Sequence, residues 1–283
     1  MAGVDRCWGW PGAQLSLPLI RRGAQACFAQ IKSGTLLFSG STTLADTWLW
    51  KDGDWHDVSH IGGAAPPARA LGAMAAYGEG ALLFGGYGAV TQSLNDTWTW
   101  TPSDGWTELT HTLAAAPPGR SYHTMQATGD ARAPSVVLFG GTDRSDEAHD
   151  TAMGDTWIFS GGQWTNPGLA PPLAPNPRWG HSMACTPPAW LEPGGASDTQ
   201  CVLFGGADLS EDDHFDDTWM LNGPKHGHRG PDVEATTRDF RGSWKQSQPG
   251  VARPGPKPAG RWSFQIASCG KGALMAGGSI GYR

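Results

Sequence analysis

The sequence lacks an apolar run long enough to cross a membrane. A membrane-spanning helix needs about 20 apolar residues in succession, and no segment of this chain approaches that length. Near the N-terminus, the stretch Leu15–Ile20 is too short for the core of a signal peptide and contains a proline. We therefore predict a soluble protein without a membrane partner.

An excess of positive charge is also missing. The chain has 20 Lys and Arg against 26 Asp and Glu, which gives a formal net charge of −6. Proteins that bind nucleic acid without regard to sequence derive their affinity from cationic side chains that neutralise phosphates. The acidic balance therefore predicts no nucleic-acid partner.

Recognised catalytic and metal-binding patterns are absent from the sequence. The five cysteines, at positions 7, 27, 185, 201 and 269, are odd in number and match no metal-ligand spacing. They predict reduced thiols and a cytoplasmic location. The sequence contains no Gly-rich phosphate loop, no G-x-S-x-G elbow and no paired zinc histidines. We accordingly predict no catalytic residue, no metal and no cofactor.

What the chain has in abundance is glycine, proline and tryptophan. The counts are 41 Gly, 22 Pro and 15 Trp in 283 residues. Glycine and proline interrupt helices and favour turns, so this composition excludes a helical bundle. The tryptophans provide large apolar surfaces for a core. An all-β protein with many turns fits both observations.

A repeat extends through almost the whole sequence. An apolar run ending in glycine recurs five times, with Phe38, Phe84, Phe139, Phe204 and Ala276 at the aligned position. After each of the first four runs comes Asp-Thr-Trp, at 46–48, 96–98, 155–157 and 217–219, and then a second tryptophan: Trp55, Trp106, Trp164 and Trp244. A proline-containing connection then leads to an arginine. Repeats of this length predict a modular fold in which each unit packs against the next.

Each unit is predicted to form four short strands. Strand A follows the arginine, strand B is the apolar run, strand C contains Asp-Thr-Trp and strand D holds the second tryptophan. Strand A is rich in small residues, as in 70–76, which suits the crowded centre of a ring. Strands C and D carry the bulky tryptophans that would fill the wider space between sheets. Four-stranded sheets packed around an axis form a β-propeller.

These motifs resemble the Kelch repeat, over about residues 19–278. The resemblance implies a Kelch-type β-propeller that binds peptides or small ligands on the face with the arginines. In the first copy, Ser39 replaces the first glycine of the doublet. The fifth copy has strands A and B only.

We predict one domain over residues 1–283 with five blades. The first four occupy 19–60, 61–110, 111–168 and 169–248, and residues 249–283 supply strands A and B of a closing blade. Residues 5–17 contain Trp8-Gly9-Trp10, which resembles Trp48-Leu49-Trp50. We expect residues 1–18 to supply the outer strands of the closing blade, because joining the termini in one sheet removes exposed edges. The alternative is a piece of a longer Kelch protein with a frayed N-terminus.

The candidate binding residues lie on the predicted D–A loops. Arg22, Arg69, Arg120, Arg178 and Arg261 occur once per blade at the start of strand A. A ring of guanidinium groups could attract carboxylates; alternatively, each arginine pairs with an Asp of its Asp-Thr-Trp motif or with loop carbonyls. His123 and His181 follow their arginines by three residues, where other copies have Gln25, Gly72 and Phe264. They are either packed side chains or part of one site near the axis.

The B–C loops of the third and fourth blades, 142–150 and 207–216, are acidic and contain His149 and His214. They could ligate a divalent metal but show no recognised spacing, and a solvated acidic rim is the simpler interpretation. We predict a monomeric, non-catalytic interaction module that binds a protein segment or a small acidic ligand at this face. The alternative is a Kelch-type lyase, isomerase or epimerase that uses the central depression.

Overall fold

A computed structural model describes residues 26–89, 93–129, 133–143, 151–186, 200–208, 214–222 and 243–246, and the backbone of strands 262–269 and 272–279. Apart from a short 3-10 helix, Thr110–Thr112, every regular element is a β-strand. In the part of the chain so described, no helix is long and apolar enough to cross a membrane. The all-β prediction is confirmed.

Four sheets of four antiparallel strands follow one another along the chain. Blade 1 contains β1 (Cys27–Ile31), β2 (Gly34–Phe38), β3 (Thr47–Lys51) and β4 (Asp54–Asp57). Blade 2 contains β5 (Ala73–Tyr77), β6 (Gly80–Tyr87), β7 (Ser93–Thr101) and β8 (Gly105–Glu108). Blade 3 contains β9 (Thr124–Gly129), β10 (Pro134–Phe139), β13 (Thr156–Ser160) and β14 (Gln163–Thr165). Blade 4 contains β15 (Ser182–Cys185), β16 (Gln200–Phe204), β17 (Thr218–Asn222) and β18 (Ser243–Gln246).

Two smaller pairs complete the described structure. A hairpin of β11 (Thr142–Asp143) and β12 (Thr151–Ala152) extends the B–C loop of blade 3. Strands β19 (Trp262–Cys269) and β20 (Gly272–Ser279) form an antiparallel pair after blade 4. In every blade the strands neighbour one another in chain order, which is the predicted A-B-C-D meander.

The blades are arranged around their first strands. Strand β5 contacts β1 and β9, and β15 contacts β9 and β19, so the A strands form a continuous inner arc. Apolar side chains fill the space between consecutive sheets; between blades 2 and 3, for example, Ala75, Leu82 and Phe84 pack with Met125 and Trp164. We call each such contact between consecutive blades a seam.

The seams repeat the same contact at their outer side. A strand-B phenylalanine of one blade packs against the strand-D tryptophan of the next, with ring centroids 5.0–5.5 Å apart: Phe38 with Trp106, Phe84 with Trp164 and Phe139 with Trp244. The same tryptophan donates a buried hydrogen bond from Nε1 to the threonine of the preceding Asp-Thr-Trp motif, over 2.8–3.1 Å. The two tryptophan positions of the repeat therefore have different tasks, because the second one joins neighbouring sheets.

The tryptophans of the Asp-Thr-Trp motifs occupy equivalent positions. Each donates its Nε1 hydrogen bond to the carboxylate of its own motif, over 2.6–2.7 Å. Trp98 and Trp219 are buried, whereas Trp48 and Trp157 are half-buried. The expected alignment is confirmed by these contacts, although two of the four rings are less covered than predicted.

The register of blade 1 corrects the sequence alignment by one residue. Cys27 pairs with Phe38, as Ala73 pairs with Phe84 and Thr124 with Phe139 in the later blades. The residue before Cys27, Ala26, therefore occupies the position of His123, and the assignment of Gln25 to that position is wrong. Gln25 and Arg22 lie outside the described residues.

The prediction of reduced thiols is wrong for one cysteine pair. Cys185 and Cys201 lie opposite each other on β15 and β16 and form a disulfide. Because both cysteines belong to paired strands of one sheet, the bond needs no change of fold.

Candidate binding face

Arg69, Arg120 and Arg178 each form a two-pronged ion pair inside their own blade. The Nη1 and Nη2 atoms donate to both carboxylate oxygens of the Asp-Thr-Trp aspartate, at 2.5–2.9 Å; the partners are Asp96, Asp155 and Asp217. The Nε atom donates to the carbonyl two residues earlier, and Nη1 also donates to the first glycine of the doublet, at 3.0–3.1 Å. The sequence motif thus forms one hydrogen-bonded unit that fixes the start of strand A against strands B and C.

The electrostatics of these pairs favour the ionised carboxylates. Burial alone would raise the pKa values of Asp155 and Asp217, but the hydrogen bonds and positive charge of their arginines outweigh it. The net effect places both pKa values below the ordinary 3.8. The cationic charge of the arginines is therefore compensated within each blade.

The hypothesis that the arginines form a ring open to carboxylates is not met by the three arginines that the structure describes. Arg69, Arg120 and Arg178 are 0% exposed. Phe215 also covers Arg178, whose guanidinium carbon lies 4.0 Å from the ring centroid. These three arginines instead follow the alternative hypothesis, in which each arginine pairs with an Asp of its motif and with loop carbonyls. Arg22 and Arg261 lie outside the described residues.

His123 and His181 are buried at the seams. The Nε2 atom of His181 is 2.9 Å from the Thr124 hydroxyl of blade 3. For His123, the blade 2 residue that corresponds to Thr124 is Ala73, which has no hydroxyl, and the ring nitrogens of His123 have no hydrogen-bond partner in the described structure. Burial, followed by the charge of Arg120, holds the pKa of His123 well below the ordinary 6.5; burial and the charge of Arg178 lower that of His181 to about 3. Both imidazoles are therefore neutral at physiological pH.

A histidine at this position packs against the first glycine of the doublet in the preceding blade, which leaves room for the ring. At Gly140, φ is +63° and an added Cβ would lie 2.8 Å from Cε1 of His181. Gly85 is related to His123 in the same way, at 3.2 Å. Ser39 occupies the equivalent position in blade 1 with φ of +55°, and there the next blade has Gly72 in place of histidine. The serine is tolerated because its neighbour is small, and its hydroxyl donates to the Arg69 carbonyl over 2.7 Å.

The D–A and B–C loops lie together at one end of the inner arc. The residue after each arginine pairs with the residue after the glycine doublet: Ala70 with Tyr87, Ser121 with Thr142 and Trp179 with Ala207. One residue further on, the backbone nitrogen of Tyr122 donates to the Leu71 carbonyl, and that of Gly180 donates to the Tyr122 carbonyl, over 3.1 and 3.2 Å. These bonds join three blades next to the axis. We call the surface formed by these loops the D–A face.

Aromatic side chains are the part of this face that the sequence interpretation missed. Tyr122 of blade 3 and Trp179 of blade 4 are half-buried and meet edge to face, with centroids 5.2 Å apart. Tyr122 and Leu71 both have positive φ, +57° and +60°, which is unusual for bulky residues and is frequent at functional sites. The available signal was a large residue close after an arginine: Trp179 follows Arg178 directly where blade 2 has Ala70, and Tyr122 is the second residue after Arg120 where blade 2 has Leu71.

The described residues contain no cluster of metal ligands and no reactive thiol. Among them, no three His, Cys, Asp or Glu side chains converge as metal ligands. Cys27 is the free cysteine in this part of the chain; it is buried, and its burial raises the thiol pKa to about 12. Thiolate chemistry at Cys27 is therefore excluded near neutral pH.

The four-stranded sheets around inner A strands, with a glycine doublet and a buried Arg–Asp pair in successive blades, define a β-propeller built from Kelch repeats. The family model of the KLHDC2/KLHL20/DRC7 Kelch-repeats domain matches residues 4–195. The chain belongs to the Kelch-repeat family.

Three plant proteins are similar to parts of the chain. The F-box/kelch-repeat protein At1g51550 of Arabidopsis thaliana is 29% identical over 199 residues, which is 65% of this chain and 37% of the relative. The putative adagio-like protein 2 of Oryza sativa subsp. japonica is 36% identical over 133 residues, and adagio-like protein 1 of the same species is 33% identical over 133 residues. Each of these two alignments covers 47% of this chain and 20% of the relative. The chain therefore spans only a minor part of the relatives' length.

Proposed function

We propose that this protein is a non-catalytic interaction module that binds a segment of a protein partner at its D–A face. The observation that carries the proposal is the half-buried aromatic pair of Tyr122 and Trp179, held by loops that are hydrogen-bonded across three blades. Aromatic side chains on a rigid base provide contact area at little entropic cost and are enriched in binding sites. Kelch-repeat membership and the F-box/kelch-repeat name of one relative support this class of function.

The small acidic ligand expected from the arginines receives less support. A carboxylate ligand would have to displace Asp96, Asp155 or Asp217 from a guanidinium group that is fully buried. Removing one partner of a buried ion pair is costly, so the proposal is restricted to a protein segment. Binding of an acidic ligand at Arg22 or Arg261 stays a prediction, as do the monomeric state and the cytoplasmic location.

Site-specific photo-crosslinking tests the proposal. A benzoylphenylalanine placed at Asn95, which is exposed near the start of β7 in blade 2, lies at the D–A end of that strand; the same group at Glu79, exposed on an A–B turn, lies at the opposite end of the blade. In extracts of the cells that produce the protein, we expect a cross-linked partner from position 95 and none from position 79. Equal yields from both positions, or cross-links from position 79 alone, would contradict the assignment to this face.

A further inference from the structure

We propose that Cys185 and Cys201 form a redox-responsive disulfide that controls the local stability of blade 4. The two cysteines are direct partners on β15 and β16, and the disulfide that joins them has a sequence separation of 16 residues. Both cysteines belong to the apolar cluster of the seam between blades 3 and 4. The bond therefore connects the innermost strand of blade 4 to the next strand, within the surface that packs against blade 3.

The other described blades form the same strand pair without a disulfide. Counted from the strand-B phenylalanine, the corresponding pairs are Gln30 with Thr35 in blade 1, Ala76 with Ala81 in blade 2 and Ala127 with Val136 in blade 3. In blade 1 the Thr35 hydroxyl donates a hydrogen bond to the Gln30 amide oxygen over 2.7 Å, and the pairs of blades 2 and 3 are apolar. Among the four described sheets of four strands, the cysteine pair is therefore specific to blade 4, and the repeat itself does not require it.

The disulfide lies one residue pair from the end of the described sheet. The next pair is held by a hydrogen bond of 2.9 Å from the Thr186 nitrogen to the Gln200 carbonyl and by one of 3.1 Å from the Gln200 nitrogen to the Thr186 hydroxyl. Gln200 is exposed, whereas Cys185 and Cys201 are only 6% and 1% exposed. Hydrogen bonds at the end of a sheet open locally at much lower cost than global unfolding. Opening this pair gives a reductant access to the sulfur atoms.

The reaction is a thiol–disulfide exchange with a small dithiol. A thiolate of the reductant attacks one sulfur of the pair, the bond between Cys185 and Cys201 breaks, and the cysteine that leaves takes up a proton. The second thiol of the reductant then displaces the other cysteine, which also takes up a proton, and forms the reductant's own disulfide. Two electrons and two protons thus pass to the protein. Glutathione disulfide, as the oxidant, reverses the reaction by taking them back.

Reduction acts on blade 4 in two ways. Two thiol sulfurs in contact lie farther apart than the ~2.05 Å of a disulfide, so the reduced pair needs more room in a seam cluster that also contains Met183 and Leu203. Extra volume in a packed core is destabilising. Reduction also removes a covalent constraint on the segment between the cysteines, and the closure of a loop of this length stabilises a protein. Both effects make the oxidised state of blade 4 the more stable one.

Hydrogen exchange of the full chain, read by mass spectrometry, tests the proposal with dithiothreitol as reductant and glutathione disulfide as oxidant. Differential alkylation of the same samples gives the fraction of the protein that holds the disulfide. Without denaturant, we expect dithiothreitol to reduce the pair and to accelerate exchange in peptides of β15 and β16 by about tenfold or more, since closure of such a loop alone is worth roughly a hundredfold. Peptides of β5 and β6 serve as the internal reference and should keep their rates.

The double variant with Cys185→Ala and Cys201→Val is the matched control, because it introduces the residue pair of blade 3, Ala127 with Val136. We expect this variant to exchange at the same rate with and without dithiothreitol, which excludes Cys27 as the source of the response. The comparison of blade 4 with blade 2 in the wild type decides the question even if the variant does not fold.

Three results would overturn the proposal. The first is a disulfide that resists dithiothreitol until urea is added, and the second is a thiol pair that glutathione disulfide does not oxidise. The third is reduction that leaves exchange in β15 and β16 unchanged, or that accelerates it as much in the double variant as in the wild type.

Discussion

Arg69 binds Asp96 through its guanidinium group and binds the preceding blade through its backbone. The Nη1 and Nη2 atoms lie 2.7 and 2.5 Å from the two carboxylate oxygens of Asp96 in blade 2. The Arg69 carbonyl accepts hydrogen bonds from the Ser39 hydroxyl and the Gly40 nitrogen of blade 1, over 2.7 and 3.3 Å. One residue thus fixes the fold of its own blade and the seam with its neighbour.

Replacing Arg69 with alanine should destabilise the whole domain. The change leaves the carboxylate of Asp96 without its cation in a site where its side chain is 15% exposed. Breaking a buried ion pair from one side costs about 3–5 kcal/mol. We expect a loss of this order in the free energy of unfolding, measured by urea denaturation.

Two further variants serve as comparisons for this measurement. The double variant with Arg69→Met and Asp96→Leu removes both charges, so it should be more stable than Arg69→Ala. Lys51 makes an exposed ion pair with Asp52 at 3.9 Å, and Lys51→Ala should change stability by less than about 1 kcal/mol. If Arg69→Ala is no worse than Lys51→Ala, the arginine has no structural task and the ligand-binding interpretation of the ring regains its support.

The hydrogen bond between Trp164 and Thr97 should contribute to the stability of the seam between blades 2 and 3. Trp164 Nε1 donates to the Thr97 hydroxyl over 3.1 Å, and both residues are buried. Thr97→Val keeps the shape of the side chain but leaves the indole donor unpaired, which costs about 1–3 kcal/mol. Thermal and urea unfolding of Thr97→Val should show this loss.

The matched control for this prediction lies on the protein surface. Thr107→Val changes an exposed threonine on β8 of the same blade and should have little effect on stability. A double-mutant cycle of Thr97→Val with Trp164→Phe isolates the hydrogen bond, because phenylalanine has no ring donor. Strict additivity of the two changes would show that the contact adds no stability.

The sequence predicted the fold well because the repeat encodes it several times. The Asp-Thr-Trp motif, the glycine doublet and the second tryptophan each serve one local contact, and the same hydrogen bonds recur in blades 2, 3 and 4. The blade 1 register was missed by one residue because Arg22 precedes Ala26 by four residues, whereas Arg120 precedes His123 by three. A repeat therefore predicts well where every motif is present and poorly where one is displaced.

The site was predicted less well than the fold, for a physical reason. A charged residue that recurs once per blade satisfies the demands of the blade, and Arg120 is consequently paired with Asp155 instead of facing solvent. The residues that differ between blades, such as Tyr122 and Trp179, distinguish one part of the face from another. Sequence periodicity draws attention to the first kind of residue, whereas binding depends on the second kind.

Acidification should destabilise the protein through its two buried histidines. In the folded state the pKa of His181 is about 3 and that of His123 is also well below 6.5, the value expected when the chain unfolds. Below pH 6.5 the unfolded state therefore binds more protons, and the free energy of unfolding falls as the pH decreases. Each histidine contributes a slope of up to about 1.4 kcal/mol per pH unit. Urea denaturation between pH 7 and about 4.5 measures this slope above most of the carboxyl range.

His181→Phe removes one of the two titrating groups. We expect this variant to show a smaller loss of stability on acidification than the wild type, whatever its stability at neutral pH. His56→Gln changes an exposed histidine on β4 and should leave the slope as it is. An unchanged slope in His181→Phe would contradict the assignment of the acid sensitivity to the buried imidazole.

Two features of blade 1 bear on the closure of the ring. At three seams the second tryptophan donates to a threonine of the preceding blade, but Nε1 of Trp55 is buried without a hydrogen-bond partner in the described structure. Phe28 of β1 is 45% exposed, whereas Met74 and Ala76 of β5 are buried against blade 1. Both Trp55 and Phe28 belong to the side of blade 1 that a preceding blade would cover. Residues 5–17, which we predict to be strands of that blade, lie outside the described residues.

Aligning Trp8 with Trp48 gives closure a test at a single residue, because Cys7 then takes the place of Thr47. If residues 5–17 complete the sheet of β19 and β20, Cys7→Thr supplies the hydroxyl that Trp55 lacks and should stabilise the domain by about 0.5–1.5 kcal/mol. Cys7→Val has the same shape without the acceptor and should not stabilise it. Deleting residues 1–18 should lower the melting temperature of the whole domain, since it uncovers one side of blade 1 and an edge of β20. A deletion that leaves the melting temperature unchanged, together with equal stability of Cys7→Thr and Cys7→Val, would show that the N-terminal segment is not part of the ring.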